Sequence, residues 1–118
     1  MLEQSTENGP LLDVAVISAH PQGSTPARRV RQLLQFSAVL SPAEVAINTT
    51  AEELFTVAGV AAGDVLLAVN KPTAQVGLGI VGWRVSAANQ VGITFANVTG
   101  VAITPTAAQT YLFAIARA

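Results

Sequence analysis

No cysteine occurs anywhere in the 118 residues. That excludes disulfides and thiolate metal sites, and with them a small secreted domain held by cross-links. Charge is scarce too: 11% of residues are Asp, Glu, Lys or Arg, and the formal net charge is −1. Nucleic-acid binding needs a basic patch to neutralise phosphates, and no patch of that size is present, so nucleic acid is not an expected partner. The one histidine, His20, lies in His20-Pro21-Gln22-Gly23-Ser24-Thr25-Pro26. With no nucleophile or orienting acid beside it, it reads as a solvated linker residue rather than part of a catalytic relay. No apolar run approaches the ~18 residues of a membrane helix. Residues 1–10 are polar and acidic, unlike the basic-then-apolar start of a signal peptide.

Aromatics are few as well: one Trp, one Tyr and four Phe. Yet hydrophobic residues make up 51% of the chain, and mean hydropathy is +0.50. A chain of this length holds one domain with one core, and its ratio of volume to surface is poor. It cannot hide that much Ala, Val, Leu and Ile within itself. Part of the surplus is therefore expected between subunits or against a larger assembly.

The dominant period is two. Val81, Trp83, Val85 and Ala87 alternate, a short polar turn follows, and Val91, Ile93 and Phe95 alternate again. This reads as an antiparallel strand pair. Around it, strands are expected from about residue 32 to 40, at 44–48, 52–57, 65–69 (inward Val65, Leu67 and Val69), 100–105, and in a closing strand with Tyr111 and Phe113 on one face. Seven or eight short strands, turn signals every ~8–12 residues and no helical period beyond residue 40 predict a small antiparallel all-β sandwich, jelly-roll or immunoglobulin-like. Trp83, Phe95, Tyr111 and Phe113 are its expected core anchors.

Residues 1–29 form an expected N-terminal arm, and residues 30–118 the sandwich domain. Leu12, Val14 and Val16 alternate in the arm, and such an apolar run is costly to leave in water. They are candidate subunit or partner contacts. So are Arg28, Arg29 and Arg31, which read either as the solvated start of a strand or as a patch for an acidic surface.

Motifs that carry chemistry are weak. Gly77, Gly79 and Gly82 spell G-x-G-x-x-G, but no helix opens there and no acid follows Asp64, so the dinucleotide context fails. Bulge or close-approach glycines fit better. Glu52 and Glu53 are adjacent, so on a strand they point to opposite faces and make no catalytic pair; a solvated strand start is expected. Arg84 has either Asp64, an acidic group on a neighbour, or no special partner. Asn48-Thr49-Thr50 and Asn97-Val98-Thr99 match the glycosylation sequon, but both asparagines read more simply as turn formers. No metal set, cofactor site or acid–base pair emerges, and no enzyme activity is expected.

From Thr49 onward one ordered set of residues stands out: Gly63-Asp64, Asn70-Lys71-Pro72, Gly77-Leu78-Gly79, Arg84-Val85-Ser86, Phe95-Ala96-Asn97, Pro105 and Tyr111. As a set it resembles the small β-sandwich proteins that decorate tailed-bacteriophage heads, and modules appended to phage tail proteins. The resemblance covers roughly 70 of the 118 residues, and none of those before Thr49. It implies a decoration, or cement, protein on the outer capsid surface of a virion, a homotrimer bracing the major capsid protein. The alternative it leaves is a tail or receptor-facing module that recognises a host-surface glycan.

Overall fold

The structure is a computed structural model that describes residues 30–118. The expected arm, with Leu12, Val14, Val16, His20, Arg28 and Arg29, lies outside the described residues.

Six antiparallel strands follow in order: β1 (Gln32–Leu40), β2 (Thr49–Thr56), β3 (Val65–Asn70), β4 (Leu78–Ala87), β5 (Gln90–Asn97) and β6 (Gln109–Arg117). They form two three-stranded sheets, β1-β6-β3 and β2-β5-β4, and there is no helix among the described residues. Six strands lie among the described residues, where seven or eight are expected of the sandwich. The predicted strands at 44–48 and 100–105 shrink to one bridging pair, Val45 with Ile103. The reason is local: Pro42 and Pro105 donate nothing to a ladder, and Asn48 turns the chain at φ +46°.

One core draws on both sheets. Tyr111, Phe113 and Ile115 of β6 meet Val91, Ile93 and Phe95 of β5, joined by Leu40, Phe55, Val57, Val60 and Leu66. The central strands carry the most deeply buried residues because a neighbour covers them on each side and the opposing sheet covers their inner face. Each fully buried side chain of this size contributes about 1.5–3 kcal/mol. Phe95, Tyr111 and Phe113 therefore lie in the interior.

Trp83 does not. Its neighbour across the ladder, Ile93, faces inward, so the indole also points inward. But β4 is an edge strand, and the residue stays 40% exposed. Its Nε1–H donates to the Leu66 carbonyl of β3, 3.2 Å away in the other sheet. Trp83 thus closes one side of the sheet pair instead of filling its centre.

Two register shifts explain further departures from simple alternation. In β4 the ladder slips between Ile80 and Gly82. Ile80 thereby packs against the core, while Val81 turns to solvent. In β3 the slip falls between Leu66 and Ala68. Leu66 and Val69 face the core, and Val65 and Leu67, expected inward, are 53% and 50% exposed. A bulge adds one residue and so exchanges the two faces beyond it.

Candidate interaction surface

The two sheets present unlike outer faces. On β2-β5-β4, Glu52 and Arg84 form a two-pronged ion pair, Nε to Oε2 at 2.6 Å and Nη2 to Oε1 at 3.0 Å. The pair spans the central strand over Gly92, which stands in register with both Leu54 and Arg84. A side chain at Gly92 would collide with the Glu52 carboxylate, so glycine here makes room for the bridge. The Arg84 hydrogen bond holds the Glu52 pKa below the usual carboxylate range. The partner of Arg84 is thus Glu52, and Glu52 is no merely solvated strand start.

Asp64 pairs instead with Arg117. Nε donates to Oδ1 at 2.8 Å and Nη2 to Oδ2 at 2.7 Å, while Nη2 also reaches the Gly59 carbonyl at 2.9 Å. The Ala61 N–H donates to the same carboxylate. These bonds, the Arg117 contact above all, lower the Asp64 pKa although burial opposes them. The guanidinium sits 5.9 Å from the centre of the Phe36 ring. The pair ties the start of β3 to the end of β6.

Among the described residues, the strands β1, β6 and β3 place no charged side chain on their outer face, and Arg31 stands just before it. Leu33, Gln35, Ser37 and Val39 of β1 stand beside Ala116, Ala114, Leu112 and Thr110 of β6, and Val65, Ala68 and Asn70 of β3 complete it. Val39 is 67% exposed, and Leu33, Val65 and Leu67 add to the apolar surface. A shallow depression of about 320 Å³ lies between Gln35, Ala68, Asn70, Leu112 and Ala114. A flat, uncharged, largely aliphatic sheet face is what a protein partner desolvates at least cost. Of the six residues proposed as contacts from sequence, only Arg31 is described. It is exposed at the mouth of β1, and its N–H donates to the Arg117 carbonyl. The sequence reading missed this face because it set Val65 and Leu67 inside.

Other candidates become structural. Gly79 and Gly82 lie within β4, and Gly77 takes φ +82° at its entry. The glycine motif therefore runs along a strand rather than around a phosphate. Asn97 is buried and uses its whole amide: Nδ2 donates to the Val45 and Val101 carbonyls, and Oδ1 accepts from the N–H and hydroxyl of Thr99. That fixes the Val45–Ile103 bridge to the end of β5. Asn89, at φ +60° in the β4–β5 turn, accepts from the Gly59 N–H. Glu53 accepts from the Ala43 N–H. Burial raises the Tyr111 pKa, and the nearby Glu53 charge adds to the rise. Among the described residues no three His, Asp or Glu converge as metal ligands.

Comparison with known proteins found no matching family model, no matching curated protein and no matching solved structure.

Proposed function

We propose that this chain is a structural virion protein of a tailed phage, a β-sandwich with an N-terminal arm that binds the outer capsid surface and stabilises the shell as a homotrimer. The observation that carries this reading is the uncharged outer face of β1-β6-β3, with Leu33, Val39, Val65 and Leu67 in solvent. The ordered residue set from Thr49 onward supports it by resemblance. Several modest contacts per trimer would act together, so tight attachment needs no deep pocket. The chain then works by binding and bracing, not by turnover.

The glycan-binding reading has less support. Sugar stacking wants exposed rings, yet Tyr111 is buried and the Trp83 indole N–H already serves Leu66. The test is co-sedimentation of the purified chain with expanded heads stripped of decoration protein, followed by heating to DNA release. Binding with a raised release temperature is the expected result, and Val39→Lys with Leu67→Lys should abolish both while the protein stays folded. No binding at micromolar concentration would overturn the proposal.

A further inference from the structure

A two-sheet stack of three strands each has four edge strands, and an open edge invites pairing with another chain. Three of the four are guarded. β2 carries Glu52 and Glu53. β4 has two register shifts and Arg84. β3 is six residues long and shifted after Leu66, whose carbonyl is taken by Trp83. The fourth, β1, has none of these devices. It runs nine residues as QLLQFSAVL, without charge or proline, in unbroken register with β6. No described residue hydrogen-bonds its open side.

The inner face of β1 is also incompletely covered. Leu34, Phe36 and Ala38 remain half-buried, whereas Tyr111, Phe113 and Ile115 beside them in β6 are fully buried. One more strand beside β1, with three apolar residues at alternate positions, would cover them. The 29 residues before the described body contain one such segment, residues 12–17, where Leu12, Val14 and Val16 alternate. Fourteen residues separate Ile17 from Gln32, and they include Pro21 and Pro26. Such a connector spans at most ~50 Å at about 3.3–3.6 Å per residue, enough to reach a neighbour.

We propose that residues 12–17 of one copy add as a strand to the open edge of β1 in a second copy. Main-chain hydrogen bonds would supply the affinity, and Leu12, Val14 and Val16 the fit against Leu34, Phe36 and Ala38. Passed head to tail, the exchange builds a ring where its rotation closes, as a trimer requires, and an open filament where it does not. This rests on the self-association within the function proposed above and not on capsid binding.

The test is sedimentation velocity of the full chain against Val14→Pro/Ala15→Pro, two changes in the arm that leave the described core untouched. The N–H groups of adjacent strand residues point to opposite sides, so one of the two prolines removes a donor to β1 in either register. The expected result is an oligomer for the parent chain and a monomer with unchanged thermal unfolding for the variant. An oligomer that survives both prolines would overturn the proposal. So would a monomeric parent whose unfolding temperature falls in the variant, which would place the arm on its own β1. A monomeric parent unaffected by the prolines would overturn it too. Binding of that monomer to stripped heads, measured separately, would then leave the capsid reading standing.

Discussion

The two sides of the sheet pair are closed in different ways. Where β3 and β4 meet, Trp83 crosses from one sheet to a carbonyl of the other, and bulges twist both edges away from straight pairing. At β1 the strand is straight, uncharged and half-covered. The outer faces differ in the same sense, since one carries the Glu52–Arg84 bridge and the strands of the other place no described charge on theirs. The chain thus uses its one tryptophan and the Glu52–Arg84 bridge on one half of its surface, while the Asp64–Arg117 pair sits at the end of the other sheet. On the other half Leu33, Val39, Val65 and Leu67 stand in solvent on strands that carry no charge on that face.

The contrast can be broken in order of expected effect. Phe113→Ala removes a fully buried ring from the centre of the core and should cost about 3–5 kcal/mol in denaturant unfolding. Asn97→Ala removes four hydrogen bonds at a buried position and leaves the Thr99 N–H without its acceptor, while the Val45 and Val101 carbonyls keep the Ile103 N–H and the Thr99 hydroxyl; about 1–3 kcal/mol is expected by the same measurement. Trp83→Ala should cost less than Phe113→Ala, about 1–2 kcal/mol, because the ring is part-exposed and contributes one hydrogen bond. A loss as large as that of Phe113→Ala would show that the closed side is part of the core.

Acid should act on Asp64. Its carboxyl has a lowered pKa in the folded chain, so the stability it contributes is complete above the unfolded value of about 3.9. That stability is lost as pH falls through the folded value. Thermal unfolding followed from pH 6 downward should decline in the parent chain and decline less in Asp64→Asn, which starts from a lower melting temperature. The smallest effect on folding belongs to the open face. Val39→Lys or Leu67→Lys should change monomer stability by no more than about 0.5 kcal/mol while weakening association.

Much of this fold was legible in the residues. Alternation alone located β5 and β6 and their inward faces, because unbroken strands keep a strict period of two. It failed where a bulge intervened. Nothing in Leu66-Leu67-Ala68 marks the extra residue, so Val65 and Leu67 were read on the wrong face, and the apolar outer surface went unseen. Gly82 did signal a bulge, but not which neighbour would turn out. The partner of Arg84 depends on strand order, which places β2 and β4 on either side of β5. From the sequence it stayed open between Asp64, an acidic group on a neighbour and no special partner. Asn97 looked like a turn former, because only the folded chain shows four bonding groups converging on it.

Amide hydrogen exchange of the full chain tests the central contrast most directly. If β1 is the edge that a neighbour covers, all nine of its amides exchange slowly, while the open edge of β2 loses every second amide quickly. If every second amide of β1 exchanges as fast as those of β2 at concentrations where the protein is associated, β1 is not the joining edge, and the account is contradicted.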